Sequence, residues 1–293
     1  MTHPFLGAGV ALITPFNEDK SIDYKALERL IENQVQGGID YLVVLGTTGE
    51  TPTLSENEKK EIVRFVIDKN AGRLKIVVGM GGNNTSGLVE SIQNANFDGV
   101  DAILSVTPYY NKPTQEGLFQ HFKMVIDASP VPVILYNVPG RTGVNMDADT
   151  TLRIGRLSDK VIAIKEASGD LDQFARIISK APSHFKLISG DDGLTLPAIT
   201  MGAIGVISVI ANALPEKLSQ LTHTSLRGDT AISGQLHLQI AEMLKLIFKE
   251  GSPCGVKALM EIMGIAKNQL RLPLVSVSPA TYTLIEKQLK QIN

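Results

Sequence analysis

The sequence is poor in cysteine and in net charge, and both shortages narrow its possible roles. Cys254 is the only cysteine among 293 residues, so an intrachain disulfide is impossible and a reducing compartment is favoured. The net charge is −2, and no run of Lys and Arg forms the basic surface that binds nucleic acid. We therefore expect small molecules or further copies of the chain as partners, and no nucleic acid.

Long hydrophobic runs are also missing. The most apolar stretch, residues 203–214, is about 12 residues long, whereas a membrane-spanning helix needs roughly 18. The N-terminal segment lacks the basic and apolar parts of a signal peptide. The five histidines show no metal-ligand spacing, and residues 79–84 lack the last glycine of a dinucleotide-binding fingerprint. These features predict a cytoplasmic protein with no membrane partner, no metal and no nucleotide cofactor.

A short apolar run followed by a longer amphipathic stretch recurs along the chain. Several runs are apolar at nearly every position, as expected for parallel strands that are covered on both faces. Between them, residues 24–36 form a helical pattern that ends at Gly37-Gly38, and residues 55–69 open with Ser55 and Glu58 at capping-box spacing. The pattern predicts a (β/α)8 (TIM) barrel, with a doubly wound open sheet as the alternative. The predicted strands are residues 9–13, 41–45, 76–79, 102–106, 133–136, 161–165, 187–189 and 205–209.

The end of the sequence contains helical patterns only. Residues 236–248, 256–263 and 281–289 are predicted to be three helices, with breaks at residues 251–253 and at Pro279. We therefore divide the chain into a catalytic barrel over residues 1–227 and a C-terminal helical extension over residues 228–293, packed beside the barrel.

Lys165 is the most informative single residue. It ends an apolar run, Val-Ile-Ala-Ile at 161–164, and the chemistry of such barrels lies where strands end. An ammonium in apolar surroundings loses hydration, which favours the neutral amine, and a neutral amine can attack a carbonyl to form an imine. The alternative is a lysine that extends to the rim or pairs with Glu166. Lys75 and Lys186, which precede their predicted strands, illustrate that alternative.

Other polar residues also follow the predicted strands. The loop Gly-Thr-Thr-Gly-Glu at 46–50 can offer N–H groups and two hydroxyls to a carboxylate or phosphate, or can be an ordinary capped turn. Tyr136 stands at a chain reversal, where a phenol can transfer protons, and Arg141 suits a carboxylate. Each has a simpler alternative, a packed tyrosine or a surface arginine. Asp191-Asp192 has the chemistry to bind a cation, but the pair is interpreted as part of a solvated loop.

Together these motifs resemble the dihydrodipicolinate synthase family, within the class I pyruvate aldolases and lyases. The resemblance implies a (β/α)8 barrel that condenses pyruvate with L-aspartate 4-semialdehyde on the route to diaminopimelate and lysine. It implies no metal or organic cofactor, because a lysine forms the Schiff base with pyruvate. It covers essentially the whole chain and rests on six segments in order: GVALITPF at 9–16, GTTGE at 46–50, TPYYNKP at 107–113, YNVPGRTG at 136–143, IKEASG at 164–169 and SGDD at 189–192.

The resemblance also implies catalytic roles. Lys165 would form the imine with pyruvate. Thr47, Tyr110 and Tyr136 would relay protons, with Tyr110 reaching into the site of a neighbouring subunit. The usual assembly of the family implies a homotetramer built as a dimer of dimers.

Substrate binding is implied in the same way. The hydroxyl and N–H of Thr48, beside the N–H of Thr47, would hold the carboxylate of pyruvate. Arg141 would bind the carboxylate of the semialdehyde. Gly190 and Ile207 would line the site through backbone groups.

One departure from the family's pattern concerns feedback inhibition by lysine. Members that lysine inhibits strongly often have histidine or another specific polar residue in the helix after GTTGE, and an acid just after the third-strand loop. The matching positions here are Glu56, Lys59 and Gly87, although Asn83 and Tyr109 remain as a possible remnant of an effector site. We predict weak or absent inhibition by lysine.

Two other functions remain open. N-acetylneuraminate lyase or a 2-keto-3-deoxy sugar acid aldolase would share Lys165 and Tyr136, but sialic acid lyases usually lack an arginine matching Arg141. A non-catalytic sensor of 2-oxo acids is a different class of protein. It would have no need of Lys165, Tyr136 and Tyr110 together.

Overall fold

The computed structural model describes residues 3–292 and contains a closed barrel of parallel strands. Each strand pairs with the next along the chain, and the last closes onto the first, with Gly205 opposite Gly7. The predicted (β/α)8 barrel is confirmed, and the open-sheet alternative is wrong. The strands are β1 (Gly7–Ala11), β2 (Tyr41–Val44), β3 (Lys75–Gly79), β4 (Ala102–Val106), β5 (Val133–Asn137), β6 (Val161–Glu166), β7 (Lys186–Ser189) and β8 (Gly205–Ser208).

Helices follow the strands and surround the barrel. Between residues 3 and 292, none of them combines the length and the hydropathy that crossing a bilayer requires. The helices are α1 (Tyr24–Gln36), α2 (Glu56–Asn70), α3 (Thr85–Gln93), α4 (Gln115–Ala128), α5 (Pro139–Thr142), α6 (Ala148–Gly155), α7 (Leu171–Lys180), α8 (Thr195–Thr200), α9 (Pro215–Leu226), α10 (Thr230–Phe248), α11 (Cys254–Ile262) and α12 (Pro279–Ile292).

Short-range signals set the helix ends that were predicted well. The Ser55 hydroxyl accepts a hydrogen bond from the Glu58 N–H, and the Glu58 carboxylate accepts one from the Ser55 N–H, which confirms the capping box. Helix α1 ends at Gln36 as predicted. Gly38 follows with a φ of 73°, a left-handed conformation that glycine adopts without steric cost.

Other boundaries depend on distant partners. Strand β1 begins at Gly7 rather than at residue 9, because the Gly7 N–H donates to the Ile204 carbonyl beside β8. Helix α10 begins at Thr230 rather than at residue 236, since the Asp229 side chain caps it. Pro279 was predicted to interrupt structure, but it is the first residue of α12. Proline is tolerated there because a first-turn N–H has no partner within the helix.

The inside of the barrel is filled by apolar side chains, so the barrel is a packed core rather than a channel. Lys165 and Tyr136 stand near the C-terminal ends of their strands, where this filling ends. The buried members of the interior cluster are Phe5, Ala11, Tyr41, Val43, Val77, Ala102, Leu104, Ile134, Tyr136, Val138, Ala163, Ile188, Ile204 and Ile207.

The last three helices share a hydrophobic core with the barrel. Ile240 of α10, Met260 of α11 and Ile285 of α12 belong to the same buried cluster as Leu12 and Ile31. We propose that residues from 228 onward form an extension that depends on the barrel for its core, because its apolar face is covered by barrel residues.

Candidate active site

Lys165 lies near the end of β6 with its side chain buried beside that of Tyr136. The two residues are opposite each other in the parallel register of β5 and β6. Lys165 Nζ is 4.3 Å from the centroid of the Tyr136 ring, and the two residues are only 5% and 6% exposed. The fold thus brings together the predicted nucleophile and a phenol that can exchange protons with its adduct.

Glu166 occupies the opposite face of β6, in the interface with the helices. Its carboxylate accepts hydrogen bonds from Asn137 Nδ2 (3.1 and 3.0 Å), Gln173 Nε2 (2.9 Å) and the Ser168 N–H (2.8 Å). Burial raises the pKa of Glu166, and these hydrogen bonds oppose the rise. Because the carboxylate is held by these donors, the alternative in which Lys165 pairs with Glu166 is wrong.

The Glu166 contacts also lock the two strands that carry the site. Asn137 follows Tyr136 directly and pairs in register with Glu166, which follows Lys165. This network was missed in the sequence. The available signal was an amide and an acid at matching ends of two apolar strands, which require buried partners.

Gly190 brings the backbone after β7 close to the Lys165 side chain. Its N–H donates to the Glu166 carbonyl at 2.7 Å, and a Cβ added at Gly190 would lie 3.0 Å from Lys165 Cε. Ile207 on β8 is fully buried and belongs to the same interior cluster as Tyr136. Gly190 therefore confines the alkyl chain of the lysine.

The loop after β2 forms a tight turn of 3-10 helix, Thr47–Gly49. Thr48 is buried, whereas Thr47 is exposed. The Thr14 hydroxyl donates to the Gly49 carbonyl at 2.7 Å, and Glu50 then adopts a left-handed conformation with a φ of 54°. These contacts therefore define the geometry of the turn.

Arg141 lies in the short helix α5, which follows β5. Its side chain is exposed, and Nη2 donates to the Ser252 carbonyl at 3.3 Å. That contact holds the guanidinium against the connection between α10 and α11.

Tyr109 and Tyr110 project from the loop after β4. Tyr110 is 88% exposed with a φ of 70°, and Tyr109 is 41% exposed. The loop is held by Asn83, whose Nδ2 donates to the Tyr109 carbonyl at 3.2 Å, and by Asn111, which donates to the Asn83 carbonyl at 3.1 Å. Tyr110 is therefore not packed into the site of its own chain.

Comparison with known proteins decides which family has this arrangement. The sequence profile described as "Dihydrodipicolinate synthetase family" matches residues 4–292. The chain belongs to the dihydrodipicolinate synthetase family. The family expected from the sequence motifs is therefore confirmed.

Individual members of the family are similar over almost their full length. The 4-hydroxy-tetrahydrodipicolinate synthase of Parabacteroides distasonis is 54% identical over 98% of this chain and 97% of its own. The dihydrodipicolinate synthase of Thermotoga maritima, solved by crystallography, has a sequence 39% identical to this one. The two structures superpose with a TM-score of 0.96 over 99% of each chain. The chloride-inhibited enzyme of Acinetobacter baumannii, solved in complex with pyruvate, is 37% identical with a TM-score of 0.95, covering 98% of this chain and 99% of its own.

The position of Asp192 differs from the one that the sequence predicts. We interpreted Asp191-Asp192 as a solvated loop, but Asp192 is only 1% exposed. Its Oδ2 accepts hydrogen bonds from the N–H groups of Val209 and Ile210, at 2.9 and 3.2 Å. Burial raises the pKa of Asp192, against the effect of these donors. The acid joins the loops after β7 and β8, which the sequence alone could not indicate.

Proposed function

We propose that the protein condenses pyruvate with L-aspartate 4-semialdehyde to give 4-hydroxy-tetrahydrodipicolinate. The observation that carries this proposal is the Lys165 amine, buried at the end of β6 and 4.3 Å from the Tyr136 ring. The name of the Parabacteroides distasonis relative and the pyruvate complex of the Acinetobacter baumannii enzyme support the choice of reaction and of first substrate.

The reaction proceeds through covalent steps on Lys165. The neutral amine attacks the keto carbon of pyruvate, and water leaves to form an imine. Loss of a methyl proton gives an enamine, whose carbon attacks the aldehyde of the semialdehyde. The amino group of the semialdehyde then adds to the imine carbon and displaces the Lys165 amine, which closes the ring and regenerates the enzyme. The water released during imine formation is the only other product.

Proton transfer in these steps is assigned to Tyr136, Thr47 and Tyr110. Tyr136 is adjacent to the amine, whereas Tyr110 is exposed on its own chain. We place Tyr110 in the site of a neighbouring subunit, which requires at least a dimer, and we expect a cytoplasmic homotetramer arranged as a dimer of dimers.

Substrate binding is assigned to residues around the barrel mouth. Thr48 and the N–H of Thr47 hold the carboxylate of pyruvate, because N–H groups at the start of a helical turn favour an anion. Arg141 binds the carboxylate of the semialdehyde through its planar guanidinium. Gly190 and Ile207 line the pocket through backbone groups.

Borohydride trapping with pyruvate tests the covalent step. Reduction should attach pyruvate irreversibly to Lys165, as located by peptide mass spectrometry, and Lys165→Ala should abolish the adduct. Lys75→Ala is the matched control, since Lys75 begins β3 and pairs with Asp101 at 2.8 Å. A native protein that forms no adduct would favour the non-catalytic sensor.

A second assay separates the possible aldol acceptors. Consumption of aspartate semialdehyde with pyruvate is expected, without cleavage of N-acetylneuraminate or of 2-keto-3-deoxy sugar acids. Cleavage of either sugar acid, in a protein that does form the adduct, would assign the site to the alternative enzymes.

A further inference from the structure

A fully buried ion pair joins the C-terminal extension to the turn that carries Thr47 and Thr48. Lys257 of α11 and Glu50 have side chains with 0% exposure, and the Lys257 ammonium donates a hydrogen bond to Glu50 Oε1. The pair links positions 207 residues apart. Removing two charges from water costs several kcal/mol per ion before their attraction is counted, so a pair at this location calls for an explanation.

The ammonium of Lys257 is saturated by protein acceptors. Besides Glu50, it donates to the carbonyls of Thr14 and Gln269, each at 2.8 Å, so each of its three protons has an acceptor. It also lies over the Phe16 ring, 4.3 Å from the centroid. Burial lowers the pKa of Lys257 to about 8, and the Glu50 carboxylate opposes this shift. The site therefore holds Lys257 in a single position.

These contacts act on the turn at two points. Glu50 follows the turn directly, and its N–H donates to the Thr47 carbonyl at 3.1 Å. Thr14, whose carbonyl accepts from Lys257, donates through its hydroxyl to the Gly49 carbonyl. A shift of the Lys257 ammonium would thus reach both ends of the segment Thr47–Gly49.

Glu50 also has a conformation that needs support. Its φ of 54° and ψ of 33° are left-handed, which glutamate rarely adopts and which persists only where neighbours enforce it. The second carboxylate oxygen, Oε2, accepts the Arg271 N–H at 3.0 Å. Both oxygens are therefore held by the C-terminal extension.

We propose that Glu50 and Lys257 are positioning residues, which hold the turn Thr47–Gly49 in the geometry that binds the carboxylate of pyruvate. This proposal rests on the proposed function. It gives the C-terminal extension a role in substrate binding. Helix α11 supplies Lys257, which fixes a substrate-binding turn next to Glu50, 207 residues earlier in the chain.

The test compares Lys257→Met with the double variant Glu50→Gln/Lys257→Met. The single variant leaves a buried carboxylate without its cation and should lower Tm by on the order of 10 °C. The double variant removes both charges and should recover most of that loss. In both variants the pyruvate concentration for half-maximal borohydride trapping should rise about tenfold, which is a loss of ~1.4 kcal/mol in binding free energy. The reason is that neither variant keeps the ammonium that donates to Glu50, Thr14 and Gln269.

Glu58→Gln is the matched control. Glu58 binds the Arg271 guanidinium, with 2.9 Å between Arg271 Nη1 and Glu58 Oε2, and so attaches the same extension without contacting the turn. This variant should lower Tm by a few degrees at most, roughly 1 kcal/mol for a partly exposed pair. Its pyruvate dependence should be native.

The outcomes separate the two proposals. If the double variant regains native pyruvate dependence together with its Tm, the pair serves folding only and the positioning role is overturned. A native protein that forms no adduct with pyruvate overturns the proposed function, and the positioning role with it.

Discussion

Replacing Gly190 with alanine would set a methyl group against the side chain of Lys165. The added Cβ would lie 2.7 Å from Ala167 Cβ, 3.0 Å from Lys165 Cε and 3.1 Å from Lys165 Cγ. Carbon atoms of neighbouring side chains are normally about 3.5–4.0 Å apart. The φ of Gly190 is outside the left-handed region, so alanine is acceptable to the backbone and the clash is the whole effect. The contact with the Ala167 methyl can be relieved only by a small shift of the backbone, and the Lys165 side chain must in addition give way by a few tenths of an ångström.

The size of the effect follows from this clash. Overpacking of a well-packed region costs about 1–3 kcal/mol, which corresponds to a fall in Tm of roughly 2–4 °C for each kcal/mol in a chain of this size class. A misplacement of about 1 Å costs on the order of a hundredfold in rate. Lys165 has to give way by only a few tenths of an ångström, so the rate should fall by a smaller factor, about three- to tenfold. The rate of adduct formation at saturating pyruvate, followed by borohydride quenching, measures that loss.

Gly234→Ala provides the matched control for this experiment. Gly234 lies within α10, and a Cβ added there meets no atom within 4 Å. That variant should keep the native rate and gain up to about 1 kcal/mol of stability, because alanine favours a helix over glycine. If Gly190→Ala forms the adduct at the native rate, Gly190 does not confine Lys165 and the reasoning is refuted.

Further measurements test other contacts. His223→Gln removes a 2.8 Å contact with Asp40 that raises the pKa of His223. The loss of unfolding free energy relative to the native protein should be largest below pH 6.5 and should shrink as pH rises above that value. A loss that is constant with pH would contradict this assignment. Tyr110→Phe should reduce turnover and leave Tm nearly unchanged, because the substitution keeps the ring and removes only the hydroxyl; unchanged turnover would remove Tyr110 from the proton relay. Lysine should inhibit weakly or not at all, and strong inhibition below millimolar lysine would show that Asn83 and Tyr109 belong to a working effector site.

Features that depend on neighbours in sequence were predictable. The capping box of Ser55 and Glu58 and the end of α1 at Gln36 both match, because capping and helical periodicity act over a few residues. Lys165 could be placed at the mouth of the barrel because parallel strands end at one rim. The register that sets Lys165 opposite Tyr136 was not predictable in this way, because the pairing of β5 and β6 is irregular between Val133 and Ile134.

Features that depend on remote segments were decided by the tertiary structure alone. Nothing in the sequence marks Glu50 and Lys257 as a buried pair, and both are buried because the last helices cover the turn after β2. Asp192 is buried because N–H groups after β8 reach it. The sequence determined the strands and most of the helices, since these follow from local propensity and periodicity, and it placed the proposed imine-forming lysine at the end of a strand. The burial and partners of its charges were set by packing, because the free energy of a charge depends on what surrounds it in space.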